Sequence, residues 1–314
     1  MQTTAAHPIQ PPPAPLAHSE EHFGAHRDYW WNPDFLDLMA QRWQLSGYRQ
    51  LLDVGCGRCH WSLQLAQRMA AGTHVVAMDY DPKWAAGDAG IPAAFATHGA
   101  TLEFRQGDAH RLPYADDSFD VVSCQTVLMH LADPLAALKE MRRVVRPGGI
   151  VICVEPCNLA QAAIANSLNA ENSVDELCDA FRYALLCERG KQAAGEGVLS
   201  LGDRLPQLFR LAGFDNVVGH LSDKARPNLP PYADRETQAK LAERLSMQEE
   251  ARGALWEGQV NRWIAALADP QAQAFVARYH ARRPARLQQM TEQLAAGAYW
   301  DSGSALSYLV SAKK

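Results

Sequence analysis

The sequence lacks any run near the roughly 18 consecutive apolar residues of a membrane span, so a helical membrane protein is not expected. Its start, MQTTAAHPIQPPPAPLAHSEEHF, has no basic residues followed by an apolar stretch and does not read as a secretory signal. Basic residues are not in excess. Lys and Arg number 30 against 35 Asp and Glu, a formal net charge of −5, so no basic nucleic-acid footprint covers the whole chain. Cysteines do not come in even number. The seven thiols, in a long chain without a signal, argue against a disulfide framework and for a reducing, cytoplasmic setting. What remains is an ordinary globular balance, 47% hydrophobic and 21% charged over 314 residues. Wholesale disorder is excluded, and the chain can bury a full core without staples. At about 100–200 residues per domain, the length permits one large domain or two modest ones.

Residues 1–18 carry Pro8, Pro11, Pro12, Pro13 and Pro15 and are expected to form a disordered tail. From 19 to 49 the pattern turns helical. Asn32 precedes Pro33 at a helix start, and Phe35, Leu36, Met39 and Trp43 share one face. This segment is read as a cap packed on the main body. Strand and helix signals then alternate. Leu51–Val54, His74–Met78, Leu102–Arg105, Phe119–Cys124 and Ile150–Val154 read as strands apolar on both faces, with helices over 60–70 and 134–145. Such an alternation implies a doubly wound parallel α/β layer. After Pro156 the alternation breaks. Residues 158–195 read as helices only, with a capping box at Ser173 and Glu176. A helix over 203–212 and a strand over 217–221 follow, then a helical stretch from Asp234 to about Ala296. The chain closes on a strand, SALSYLVSAKK.

The strand ending in Asp53-Val-Gly55-Cys56-Gly57 feeds a helix. That turn places backbone N–H groups where a polar ligand can approach closely. Asp79 closes the second strand, where such folds hydrogen-bond ribose hydroxyls. These two features fit several nucleotide cofactors, NAD included. The third decides. Gly107-Asp108-Ala109, then Asp116-Asp117-Ser118-Phe119-Asp120, then Val127-Leu128-Met129-His130-Leu131 and Arg146-Pro147-Gly148-Gly149 follow in order. With LLDVGCG, VVAMDYDP, GDAHRLPYADDSFDVVSCQTVLMHL and EMRRVVRPGGIVICVEP, the chain resembles the class I S-adenosylmethionine-dependent methyltransferases, in particular the small-molecule branch near ubiquinone and menaquinone biosynthesis.

The resemblance implies a Rossmann-like, seven-stranded, mostly parallel sheet with an antiparallel last strand, helices on both faces, and helical lid insertions. It implies S-adenosyl-L-methionine as cofactor, while the acidic balance and the large helical inserts favour an enclosed small-molecule acceptor, with no nucleic-acid partner. By position, Asp53, Gly55, Cys56 and Gly57 would line the methionine end. Asp79 would hold the ribose diol, with Tyr80 beside the adenine. Asp108 would accept from the adenine amino group, and the Ala109 amide would meet a ring nitrogen. Gln125 would lie where the chain passes the sulfonium. Arg27 and Tyr29 would cover the cofactor, with Arg27 pairing its carboxylate. The family's third glycine is Cys59 here, so no cofactor contact is carried to it. Cys56-x-x-Cys59 has the spacing of a zinc or redox pair, but no second cysteine pair follows and no metal is expected.

Methyl transfer from a sulfonium needs positioning and water exclusion, and a base only for a protonated acceptor. The candidates at strand ends are His130 and Glu155, with His60 opening the first helix. A nicotinamide oxidoreductase, a non-catalytic cofactor-binding protein, and a protein or RNA methyltransferase are the competing readings. If the closing strand returns to the same sheet, residues 50–157, 199–225 and 298–314 form the core of a single domain spanning 19–314. The stretches 158–198 and 232–297 are then insertions expected to build a lid and acceptor pocket, with Trp256, Trp263 and Phe275 as core or lining.

Overall fold

β-Branched and apolar runs build the sheet, the first three of them closed by glycine or aspartate. In the computed structural model, residues 27, 29–87, 90–246, 250–303 and 306–314 are described. The expected tail and the start of the helical cap lie outside them, as do Ser304 and Ala305 of the closing segment. The strands are β1 (Gln50–Val54), β2 (His74–Asp79), β3 (Thr101–Gln106), β4 (Phe119–Gln125), β5 (Val145–Pro156), β6 (Val218–Leu221) and β7 (Ser307–Lys313). Their order across the sheet is β3-β2-β1-β4-β5-β7-β6. β1 to β5 pair parallel, and β7 pairs antiparallel with both β5 and β6. The seven-stranded Rossmann-like sheet with an antiparallel last strand is therefore present.

Period-two alternation sends neighbouring residues to opposite cores. Leu52, Val122, Val151 and Cys153 pack on one face with Leu138, Met141 and Phe209. Those residues belong to α5 (Pro134–Val144) and α8 (Leu205–Leu211). Leu51, Val121, Ile150 and Ile152 pack on the other face with Met39, Trp43, Trp61 and Leu65, carried by α1 (Pro33–Trp43) and α2 (His60–Ala66). Trp43 Nε1 donates to Ser311 Oγ of β7 at 3.0 Å, which fixes the cap to the sheet.

Two short helices between β2 and β3, α3 (Pro82–Ala85) and α4 (Gly90–Ala96), escape the sequence reading. α3 is a single turn of four residues, and α4 buries only Phe95, so neither shows an apolar helical period. The Arg146-Pro147-Gly148-Gly149 run lies within β5, opposite a register shift between Phe119 and Val121. Gly148 N donates to Lys314 O at 2.9 Å, and Lys314 N donates to Gly149 O at 3.1 Å, so the run pairs with the chain's last residue.

The stretch after β5 holds α6 (Asn158–Gln161) and α7 (Val174–Ala193). The Ser173–Glu176 capping box opens α7 as read. The stretch after β6 is broken into α9 (Arg235–Ser246), α10 (Glu250–Ala266), α11 (Pro270–His280) and α12 (Arg283–Ala295). Asp269 Oδ1 accepts from Gln271 N and Ala272 N, and Pro270 begins the next helix, so the chain turns there. These helices have a core of their own, which includes Cys187, Val260, Trp263, Ile264 and Phe275. Trp263 and Phe275 are thus core, whereas Trp256 remains 36% exposed. Among the described residues no helix is long and apolar enough to cross a membrane.

Candidate functional site

Parallel strands deliver their last residues to one edge of the sheet, and there the acids collect. Asp53 sits in β1 between Ala77 and Ser123 and is buried. Gly55 follows with φ +72°, and a Cβ built on it would come within 2.4 Å of Val127 Cγ2, so both conformation and space demand glycine. Cys59 also adopts a left-handed conformation, φ 60°, with its side chain buried. The cysteine therefore takes the backbone geometry that the missing glycine would take more readily.

The turn's amides are largely spent within the protein. Gly55 N and Cys56 N donate to Met78 O at 2.7 and 3.0 Å. Gly57 N donates to Asp79 Oδ2 at 2.9 Å, and Asp81 N donates to Asp79 Oδ1 at 3.0 Å. The turn offers closeness of backbone and a buried carboxylate held in one orientation. Asp79 is 4% exposed, while the ring of the next residue, Tyr80, is largely exposed. Asp108, just beyond β3, accepts from His110 N and Nδ1, both at 2.8 Å, and is half exposed. Ala109 beside it is buried.

A cavity of about 90 Å³ lies between the cap and the ends of the strands, lined by Arg27, Trp30, Trp31, His60, Gln64 and Gln125. Arg27 is buried with its guanidinium 4.8 Å from the Trp30 ring centre, and Arg226 lies over the same ring at 5.8 Å. Such cation–aromatic stacking holds the cap against the segment after β6. Tyr29 is half-buried beside them and does not line the cavity. Trp30 and Trp31 belong to the aromatic run Tyr29-Trp30-Trp31, which reads from sequence as a cap over a cofactor, whereas Gln64 and Arg226 are lining or bracing residues that sequence reasoning did not single out.

Glu155 and His130 are not neighbours in role. Glu155 is fully buried, and its Oε1 accepts from Val127 N at 2.9 Å and Leu128 N at 2.7 Å. Burial pushes its pKa up to about 7 against the pull of the Leu128 and Val127 amides. Oε2 is buried without a hydrogen-bond partner among the described residues. His130 ends the one-turn 3₁₀ helix Leu128–His130 and is exposed, with Nδ1 3.4 Å from Lys191 Nζ. Lys191, at the end of α7, is buried and donates to Met129 O at 3.1 Å and Val198 O at 2.9 Å. Burial lowers its pKa to about 8, opposed by the charges of Glu188 and Glu155. The loop after β4 is thus held by Glu155 from the sheet side and by Lys191 from the insertion. Lys191 gives no local sequence signal, because its role comes from a contact 62 residues away in the chain.

The Cys56 thiol is pushed up by hydrogen bonding to Cys59 and by burial, and Cys124 by hydrogen bonding to Cys153 and by burial. These are buried thiols, not thiolates. Among the described residues no three His, Cys, Asp or Glu side chains converge as a metal site.

Residues 52–153 match the model of a methyltransferase domain. The matched stretch runs from β1 into β5. It holds Asp53, Asp79, Asp108 and Gln125 on one sheet edge. Demethylmenaquinone methyltransferase of Bacillus velezensis is 37% identical over 105 residues, 33% of this chain and 44% of that protein. The enzyme of that name from Lysinibacillus sphaericus is 35% identical over 126 residues, 40% of this chain and 50% of that protein. The match spans half or less of these relatives' length. Among solved structures, the (4+2)-cyclase SpnF is 22% identical, with 90% of this chain and 81% of that chain covered at a TM-score of 0.47. The YcgJ protein of Bacillus subtilis is 16% identical, with 90% and 99% covered at 0.48.

Proposed function

We propose that the protein is an S-adenosyl-L-methionine-dependent methyltransferase acting on a small-molecule acceptor in the cytoplasm. The observation that carries this reading is the methyltransferase-domain match over residues 52–153, the stretch whose strand ends gather the acids described above. Adjacent strands stand about 4.8 Å apart. Acids at the ends of β1, β2 and β3 therefore make a row that suits an extended ligand with an amino-acid end, a sugar and a base.

The residues present fit such a ligand. Asp79 is buried, oriented by two backbone amides, and has lone pairs left to accept from a ribose diol. The exposed Tyr80 ring can cover an adenine, with Asp108 and the Ala109 amide at its polar edge. Asp53, Gly55, Cys56 and Gly57 would border the methionine end. There the bare Gly55 lets Val127, at the start of the loop after β4, pack against the turn. Arg27 supplies a cation for a carboxylate, and Trp30 and Trp31 keep water from the cavity that Gln125 and His60 line. When bound, the cofactor supplies a methyl group already activated on a sulfonium. The protein's task is to align an acceptor and exclude water.

His130, exposed beyond β4, is the side chain suited to take a proton from a phenol or ammonium acceptor. Glu155 is a positioning residue in this reading, because it grips the backbone that carries His130 and is closed to solvent. The test is transfer of labelled methyl from the cofactor to pooled phenolic and amine acceptors. The expected result is label in at least one acceptor, reduced by His130→Ala. Tight cofactor binding with no label in any pool would favour a non-catalytic protein.

A further inference from the structure

The insertions enclose a second and larger space. A cavity of about 440 Å³ lies between α7, α10, α11, α12 and the segment before α7, and shares no lining residue with the cavity at the strand ends. Tyr183, on its wall, precedes Lys191 by eight residues of one helix, about 12 Å at 1.5 Å per residue. Lys191 itself touches the loop after β4. The cavity and the strand ends are therefore two places joined by one helix.

The walls are aromatic. Tyr183 and Tyr279 stack with ring centres 4.2 Å apart and planes 13° apart, and Trp256 forms the rim, its indole N–H donating to Tyr183 Oη at 3.3 Å. Such flat apolar surfaces favour a flat apolar guest. The polar groups carry a bias in sign. Arg283 pairs with Glu257 at 3.3 Å. Arg286 lies over the Tyr279 ring at 5.1 Å and donates to its hydroxyl at 2.9 Å. Among the described residues Arg286 has no carboxylate partner within ion-pair distance. His280 does not add charge, because burial holds its pKa below the usual imidazole value. Arg286 is thus the lining guanidinium whose charge no described carboxylate offsets within ion-pair distance. Arg286 keeps donors beyond the one given to Tyr279.

We propose that this cavity binds a compound with two or more aromatic rings bearing an anionic group, the rings lying against Tyr183, Tyr279 and Trp256 and the anion against Arg286. That chemistry stands on the cavity alone. Naming the occupant as the methyl acceptor rests on the methyltransferase reading. In that case the acceptor is elongated, with its anionic aromatic end in the insertion and its reacting atom at the strand ends.

The full chain is titrated calorimetrically with biphenyl-4-carboxylate, biphenyl-4-methanol and biphenyl-4-methylamine, and separately with S-adenosylhomocysteine. The carboxylate is expected to bind about tenfold more tightly than the amine. Arg286→Gln should remove that preference and leave the alcohol and S-adenosylhomocysteine unaffected. Trp256→Leu should weaken all three biphenyls. Equal binding of the three probes, no binding of any, or a preference that survives Arg286→Gln would overturn the proposal. Loss of S-adenosylhomocysteine binding alone would sink the methyltransferase reading and leave this one standing.

Discussion

Asp79 does two things at once: its carboxylate accepts from Gly57 N and Asp81 N, and it faces the edge where a ribose is proposed to lie. A charge-assisted hydrogen bond of this kind contributes about 1.5–3 kcal/mol. Asp79→Asn is therefore expected to weaken S-adenosylhomocysteine binding about tenfold or more by calorimetry, and to lower Tm by the equivalent of about 1–3 kcal/mol, because the amide can accept from only one of the two backbone N–H groups. The position was legible because an acid ends an apolar strand at the expected distance from a glycine turn. The internal use of the Gly55, Cys56 and Gly57 amides was not, since it depends on where β2 ends beside β1. Glu155 yields a pH prediction. Its folded pKa, about 7, lies above the usual carboxylate value, so between roughly pH 4.5 and 7 the folded state holds a proton that the unfolded chain has lost. Stability from this group is full below that window and falls as pH rises through it. Glu155→Gln keeps an acceptor for Val127 N and Leu128 N without the charge. Its Tm relative to wild type should rise from pH 5 to pH 8, and a constant difference across that range would contradict the assignment.

Helix α7 meets α10 at closest approach where Gly190 lies against Trp263, whose backbone carbon and oxygen would be 2.7 Å from a Cβ built there. Gly190→Ala is expected to destabilise by about 1–3 kcal/mol through overpacking. Gly258→Ala, on α10 with nothing within 4 Å, should instead be neutral or stabilising by up to about 1 kcal/mol. Thermal melts of the two variants check both signs, and a harmless Gly190→Ala would show that the two helices do not pack as described. Helix contacts like this one lie outside the reach of a single sequence. Trp263 falls on a periodic apolar stripe, but nothing in that stripe names α7 as its partner. Elements with a strong period or a cap were legible, such as α5 behind Asp133 or α7 behind Ser173. The long helical stretch from Asp234 was read as one because its breaks rest on isolated features such as Asp269-Pro270.

Across the whole molecule, the sheet holds both helical stretches between its own strands, so each is tethered at two ends. Asp301, just before β7, is the tether's centre. Its carboxylate meets Lys240 Nζ at 3.0 Å, Asn228 Nδ2 at 2.8 Å and Tyr299 Oη at 2.7 Å, with Lys240 and Asp301 both almost fully buried. Asp301→Asn leaves the Lys240 ammonium without its charge partner, an arrangement that costs about 3–5 kcal/mol when buried. A fall in Tm of that order is expected, and an unchanged Tm would remove Asp301 from this role. The sheet order could be anticipated from the motif series and the closing strand. The contents of the insertions could not, because their pairing is set by contacts such as Asp301 with Asn228 across 73 residues. The acids at the strand ends are proposed to hold an adenosyl cofactor. Calorimetric titration of the full chain with S-adenosylhomocysteine decides this: one site per chain, weakened by Asp79→Asn, is expected, and no heat of binding at millimolar ligand would refute it.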